Sequence, residues 1–286
     1  MRIAFATCPQ LPDGFADDHE AARLLGAEFV VWSDPDVDWS RFDHVVVRSA
    51  WNYTLFREEF IAWARSLGSR ISNSADLLAF NSDKTYLGVL GVPTVPTIYV
   101  APGSDAPELR GEVVVKPTVS AGGRDTGRFD PEHHDEARAL LARINASGRT
   151  AMVQPYIAGV DVLGERAYLF LGGEFSHSLH KKPVLRDQGE PPLENPDDPS
   201  SSAAIMFDAD LVTPTEVEEA FLALAHEVVA RLTERFGTPL YVRVDMVPGP
   251  SGPIVMEVEA VEPCLYFDLA PGAAERFADA VKARLL

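Results

Sequence analysis

The chain has 286 residues, 46% hydrophobic and 24% charged, enough for an ordinary core and, at ~100–200 residues per domain, for two or three lobes. Lys+Arg 25 against Asp+Glu 43 leaves a net charge of −18. A field of that sign repels phosphate backbones and anionic lipid, which argues against nucleic-acid and membrane partners. The opening apolar run is followed at once by Cys8-Pro-Gln-Leu-Pro, a strand and turn rather than the core of a leader. No later apolar run approaches the ~18 residues of a membrane span. Cys8 and Cys264 are the only cysteines, so neither a disulfide framework nor a zinc site is expected, and the reducing cytoplasm is the expected location. Composition is compatible with a monomer or a homodimer.

Strand-like segments at 2–7, 28–32 and 44–48 alternate with a helical i, i+4, i+7 pattern, Phe60, Ala64 and Leu67, across 57–67, which predicts a small α/β lobe. A helix is predicted over 82–90, ending at Gly91-Val-Pro93, before extended segments at 97–100 and 112–116. Leu140, Leu141 and Ile144 mark a further helix, and 151–154 a strand that leads into a connection at 155–159, read as an interlobe hinge. Strands follow near 166–171 and 174–180. A polar stretch at 186–202 reads as a lid, and a long helix carries Val217, Phe221, Leu224, Val228 and Leu232 on one face. Strands at 240–247 and 253–259, joined by Pro-Gly-Pro-Ser-Gly, predict a hairpin, and Phe277, Val281 and Leu285 a terminal helix. The fold class is therefore α/β (α+β), with units 1–80, 81–157 and 158–286.

Side chains two apart in a strand share a face. Arg243 and Asp245 thus point one way, as do Glu257 and Glu259. If the hairpin brings these faces together, three carboxylates and a guanidinium converge, which is costly without a cation and suits Mg²⁺ with substrate phosphates. The same alternation also suits the solvated face of an antiparallel sheet. Lys116 ends the run Val113-Val-Val-Lys116-Pro117, before the small-residue loop 118–124 that holds Ser120, Gly122 and Gly123. A lysine beside backbone that a ligand can approach closely suits polyphosphate, although the loop is no Walker A sequence. Lys84 by itself reads as helix surface charge. His177 and His180, three apart, face opposite sides and are not expected to chelate one metal. Cys8 and Cys264 read as small buried hydrophobes rather than nucleophiles.

In order, these pieces resemble the ATP-grasp ligase superfamily across 73–262: Asn73-Ser, Asn81-Ser-Asp-Lys84, Leu90-Gly-Val-Pro, Val-Val-Val-Lys116-Pro with its glycine loop, Met152-Val-Gln-Pro-Tyr-Ile157, Gly164-Glu-Arg166, Arg243-Val-Asp245 and Glu257-Val-Glu259. The resemblance implies a nucleotide clamped between two α+β lobes behind an N-terminal α/β lobe. It implies that Lys84 and Lys116 bind ATP with Ser120, Gly122 and Gly123, that Gln154, Tyr156 and Ile157 hold adenine, and that Asp161 meets the ribose. Asp245, Glu257 and Glu259 would hold two Mg²⁺ ions, with Mn²⁺ as an alternative; Glu259 stands where the superfamily often has Asn. Residues 45–53, 164–183 and 257–267 are similar to the cyclo-ligase group of that superfamily, which acts on O-ureido-D-serine.

That resemblance implies carboxylate attack on the γ-phosphate, release of ADP, and ring closure of the acylphosphate by the substrate's own ureido nitrogen, with loss of CO₂ and ammonia leaving D-cycloserine. Arg243 is the expected catalytic residue, stabilising the transferred phosphoryl group or the oxyanion. Arg48, Trp51, Asn52 and Tyr53 lie at the C-terminal end of a first-lobe strand, where open α/β sheets place ligands; with Arg166 and Lys182 they are the expected contacts to an amino-acid-like substrate. Packing of Trp51 and Tyr53 at the lobe interface and a solvated Arg48 is the competing reading. An intermolecular carboxylate–amine ligase and a nucleotide-binding protein without turnover are the functional alternatives.

Overall fold

A computed structural model describes residues 1–285 apart from 186, 196, 197, 199, 200, 203–207 and 209. The apolar runs near the N-terminus form a four-stranded parallel sheet, β1 (Ile3–Thr7), β2 (Glu28–Val31), β3 (His44–Ser49) and β4 (Ile71–Ser72), in the order β2-β1-β3-β4. Every residue of β1 and β3 is buried, as parallel strands covered on both faces require. Helices α1 (His19–Leu25) and α2 (Arg57–Ser66) flank the sheet.

The helix predicted over 82–90 lies elsewhere. Helix α3 spans Ala75–Asn81, started by Ser74, whose side chain accepts from the Leu77 amide. Lys84–Val89 is a 3₁₀ turn, with Asp83 accepting from the Thr85 amide. The only α-helix here thus precedes the predicted span, and within 82–90 the chain forms a capped 3₁₀ turn instead.

The central sheet is antiparallel and comprises β5 (Ile98–Val100), β6 (Val113–Pro117), β7 (Gly127–Phe129) and β8 (Ala151–Pro155), ordered β5-β8-β6-β7. Leu140, Leu141 and Ile144 of α4 (His134–Ala146) complete a core that draws only on residues 100–153. The connection predicted at 155–159 runs into a short helix, α5 (Gly159–Leu163).

The third sheet consists of β9 (Glu165–Leu171), β10 (Glu174–Lys181), β11 (Val212–Pro214), β12 (Tyr241–Gly249) and β13 (Gly252–Glu259), ordered β11-β10-β9-β12-β13 and antiparallel. Helix α6 (Glu219–Phe236) presses Phe221, Leu224, Val228 and Leu232 against Tyr168, Phe170, Val242 and Val244 on one face. Val217, predicted to share that helical face, precedes the helix and is exposed. On the opposite face Phe277 and Val281 of α7 (Ala273–Ala283) pack with Phe5 of β1, Leu169 and Tyr241; Leu285 lies past the end of α7. The first and third sheets therefore share one core.

Two buried asparagines brace this arrangement. Asn73 donates to the carbonyls of Tyr241 and Ala260 and accepts from the Leu240 amide. Asn81 donates to Val258 and accepts from Ala260. Of the stretch 186–202, residues 186, 196, 197, 199 and 200 lie outside the described residues. In its described part, Gly189 exchanges two backbone hydrogen bonds with Arg128. The Arg124 guanidinium donates to the carbonyls of Asp198 and Ser201. Among the described residues no helix is long and apolar enough to cross a membrane.

Candidate active site

The hairpin of β12 and β13 sets the site. Its register pairs Arg243 with Glu259 and Asp245 with Glu257, so the two-residue alternation of both strands stacks all four charges on one face. Strict alternation would also put Val255 there. The register shifts between Asp245 and Met246, leaving Met256 as an extra residue on β13. This bulge turns Val255 into the α6 core while Met256, Glu257 and Glu259 face a cavity of about 350 Å³. The central sheet contributes Lys116, the glycine loop and Gln154 to the wall. The first lobe contributes Phe15, Trp51, Tyr53 and Thr54, and residues 257–266 close one side.

The charges are arranged in pairs. Asp245 is buried and takes Arg243 at 3.0 Å and Lys181 at 2.7 Å. Burial opposes its negative charge, but Arg243 and Lys181 outweigh burial and hold the carboxyl down to about 2. Lys181 also lies 3.3 Å from Glu165, its partner across β9 and β10. Burial works against that ammonium too, yet Asp245 and Glu165 raise its proton affinity. Arg243 reaches Glu259, and Lys84 lies 3.2 Å from Glu257. Burial opposes ionisation of Glu257, but Lys84 and Lys116 lower its pKa. For Glu259 burial wins over Arg243, and Glu257 adds to it, so its pKa is raised.

The sequence reading placed three metal-binding carboxylates together, and the geometry corrects this. They share a face, but among the described residues no group of three or more His, Cys, Asp or Glu side chains is disposed to hold a metal ion. Asp245 does not line the cavity; both its oxygens are occupied by Arg243 and Lys181. Glu257 and Glu259 do line it. That two-carboxylate, all-oxygen donor set fits a hard dication which completes its shell with water and phosphate oxygens.

Lys84 joins two elements: its ammonium donates to the Ser120 carbonyl at 2.7 Å while its own amide donates to the Thr118 carbonyl. It thereby ties the glycine loop to β13. Lys116 has no hydrogen bond or ion pair among the described residues, and burial lowers its pKa. An unpartnered lysine on a cavity wall is a ready contact for an anion. Gly122 adopts φ +64°, and a Cβ there would lie 2.2 Å from the Ser202 hydroxyl oxygen; only glycine fits between loop and neighbouring chain. Ser120 and Gly123 line the same wall.

Gln154, Tyr156 and Ile157 line the cavity along β8, the strand next to β6, and the connection that follows it. The Gln154 amide donates to the Thr97 hydroxyl at 2.9 Å. Arg128, which the sequence reading passed over, lies 3.6 Å from the Tyr156 ring centre and pairs with Glu112 and Asp161. Asp161 is engaged by Arg128 and by the Tyr156 hydroxyl, and does not line the cavity.

The expected substrate residues divide. Trp51 and Tyr53 line the cavity. Arg48 does not: it is 2% exposed, donates to Asp18 at 2.8 Å and to the Pro263 carbonyl, and lies over the Tyr241 ring. Asn52 is buried and accepts from the Trp32 indole. Arg48 therefore holds the first lobe against the third, while Asn52 braces the interior of the first. Arg166 points to the α6 side and pairs with Glu218 at 2.7 Å. Lys182 is exposed, whereas Lys181 is buried in the cavity wall. Adjacent strand residues face opposite ways, so choosing between two consecutive lysines by type alone selects the wrong side.

Glu165, Lys181 and Glu262 are cavity residues that the sequence reading missed. The cross-strand pairing of Glu165 with Lys181 was a readable signal; for Glu262, in a loop, there was none. Burial first, and Glu259 second, push the Glu262 carboxyl well above the ordinary range. Cys264 also lines the cavity, and burial pushes its thiol up to about 12, the protonated and weakly nucleophilic state. His177 donates to the Leu265 carbonyl and His180 to that of Leu163, consistent with separate structural roles.

Residues 3–73 match the family model described as "D-cycloserine synthetase DcsG, N-terminal domain". The chain is 35% identical over 288 aligned positions to the cycloserine biosynthesis protein DcsG of Streptomyces lavendulae, covering 93% of this chain and 92% of that one. The crystal structure of D-cycloserine synthetase DcsG superposes with a TM-score of 0.85 at 32% identity, covering 100% of both chains. D-alanine–D-alanine ligase from Bacillus anthracis, in complex with ATP, shares the fold at a TM-score of 0.67 and 15% identity, covering 100% of this chain and 97% of that one.

Proposed function

The chain belongs to the D-cycloserine synthetase DcsG family, ligases with the ATP-grasp fold, and from that premise we propose that it closes the ring of O-ureido-D-serine at the expense of ATP. The observation that carries the reading is the cavity floor. Arg243 and Glu259 face each other in register beside Asp245 and Glu257, below an unpartnered Lys116. That arrangement suits transfer of a phosphoryl group to a carboxylate.

Lys84 and Lys116 bind the phosphates, and the 118–123 loop offers backbone amides to them. Gln154, Tyr156 and Ile157 line the adenine end. Asp161 acts there through Arg128 and Tyr156 rather than on the ribose. Glu257 and Glu259 would hold Mg²⁺, which would supply neutralisation of phosphate charge. Arg243, fixed by Asp245 and Glu259, presents its guanidinium to the attacking carboxylate and then to the oxyanion formed at the acyl carbon. Lys181 keeps Asp245 ionised and thus keeps Arg243 in place.

The substrate carboxylate displaces ADP from the γ-phosphoryl group; the ureido nitrogen then displaces phosphate as it loses its proton, and hydrolysis of the carbamoyl group by one water releases CO₂ and ammonia and returns a proton to the ring nitrogen. Every group named positions or neutralises, and no protein nucleophile takes part. We assign units 1–80, 81–157 and 158–286 to substrate, nucleotide and metal binding respectively. We assign the chain to the cytoplasm, where a biosynthetic ligase that uses ATP would find its nucleotide.

The test is ADP release with Mg²⁺-ATP and O-ureido-D-serine as sole organic substrate, with cycloserine assayed in parallel. Stoichiometric ADP and cycloserine, both lost in Glu257→Ala, are expected. ADP that forms only when a separate amine is added would reassign the chain to intermolecular ligation, and binding of ATP without ADP under any condition would make it a nucleotide-binding protein.

A further inference from the structure

Two of the ionisable side chains lining the cavity make no ion pair and no hydrogen bond among the described residues: Lys116 and Glu262. All the others are paired as described above. Lys116 stands on the central sheet, where the phosphates are read. Glu262 lies in the loop after β13, against the first lobe, and exerts the strongest influence of any charge on the Tyr53 hydroxyl. The two unmatched groups are thus a base and an acid from different parts of the wall, and a cation placed beside Glu262 would favour its ionised form.

The surroundings of Glu262 are not those of a phosphate site. Phe15 and Trp51, with ring centres 5.2 Å apart, line the same cavity. Aromatic faces and a carboxylate together attract an organic cation, while Arg48 beneath them is consumed by Asp18 and the Pro263 carbonyl. We infer that Glu262 holds the α-ammonium of the amino-acid substrate, against the wall formed by Phe15, Trp51 and Tyr53. This rests on the reading of the chain as a carboxylate-activating ligase.

The assignment orients the substrate. With its carboxylate at Arg243 and its ammonium at Glu262, the remaining arm bears the ureido nitrogen that closes the ring. A carboxylate partner also favours the protonated ammonium, which has no lone pair for attack on the acylphosphate. Glu262 is accordingly a specificity-determining residue rather than a proton carrier.

The experiment compares D-serine with D-glycerate, which differ in ammonium against hydroxyl, as ligands of the Mg-ADP-loaded protein, for the wild type, Glu262→Gln and Glu262→Asp. O-ureido-D-serine turnover is measured alongside. We expect the wild type to prefer D-serine by at least about tenfold, a difference of ~1.4 kcal/mol. Glu262→Gln should abolish that preference, leaving KM for ATP within about twofold, and Glu262→Asp should restore part of it. The unchanged ATP constant shows that the variant is folded. Equal binding of the two ligands by the wild type, or a preference that survives in Glu262→Gln, overturns the assignment. Failure of the cyclo-ligase reading has a separate signature: O-ureido-D-serine gives no ADP while D-serine is still preferred through Glu262.

Discussion

The nucleotide side and the amino-acid side of the cavity are built by different means. On the nucleotide side most charges stand on strands and two opposite pairs are matched through register, Arg243 opposite Glu259 and Glu165 opposite Lys181. On the amino-acid side the wall comes from a 3₁₀ turn, Trp51–Thr54, and from the loop after β13. Register fixes several side chains at once, so one part can be changed only at a cost to its partners. A loop can vary residue by residue. Chemistry common to many ligases thus sits on the sheet, and discrimination among substrates sits on connections.

Replacement of Arg243 tests the sheet side most severely. Arg243→Ala should lower kcat by about 10²–10³, the cost of losing one oxyanion donor, and should also lower the urea midpoint because Asp245 keeps only Lys181. An unchanged kcat would remove Arg243 from the reaction. A sharper contrast comes from two lysines on the same wall. Lys181→Met should cost about 1.5–3 kcal/mol of stability, the worth of a charged hydrogen bond, because the buried Asp245 then keeps only Arg243. Lys116→Met should leave stability unchanged or raised, since this lysine has no partner, yet raise KM for ATP by about tenfold to a hundredfold, as expected for a charged hydrogen bond. Denaturant titration and initial rates separate these outcomes.

On the loop side, Trp51→Ala should raise KM for the amino-acid substrate by about tenfold with KM for ATP within about twofold, the pattern of lost ground-state binding. An equal rise in both would mean that the two sides are not independent.

Acidification gives the smallest effects. Burial lowers the pKa of His44 and of His177 from 6.5 to about 4, so the unfolded chain takes up protons first as pH falls. Stability should decline between pH 6.5 and about 4, by on the order of 2 kcal/mol per imidazole. The depressed carboxyl of Asp245 contributes stability above its ordinary value of 3.8 that is lost as pH falls towards about 2. Urea midpoints across this range check both windows, and a flat profile above pH 4 would contradict the histidine contribution.

The same contrast explains what could be read in the sequence. Arg-x-Asp and Glu-x-Glu on strands joined by a Pro/Gly turn expose their shared face through period two alone, and the long helix α6 through its apolar stripe. Lys181 was lost to Lys182 because consecutive strand residues face opposite ways and residue type alone does not choose between them. Arg48 has the composition of a ligand contact, but its role depends on Asp18 and on Pro263, 215 positions away. Glu262 has no periodic context whatever. Short elements such as α3, β7 and β11 were missed because a cap or a single cross-strand pairing, rather than a pattern, creates them.

The core common to the first and third sheets, set against the self-contained core of residues 100–153, has a consequence for cooperativity. Because Phe5, Leu169, Tyr241 and Phe277 pack together, the two ends of the chain melt as one unit. The central sheet, with Leu140 and Ile144 closing its own interior, forms a separate foldon that can open without them. Amide hydrogens of β6 and β8 would then exchange through a lower-energy opening than those of β1 and β12. Phosphate bridging Lys116 to Arg243 would join the two units into one.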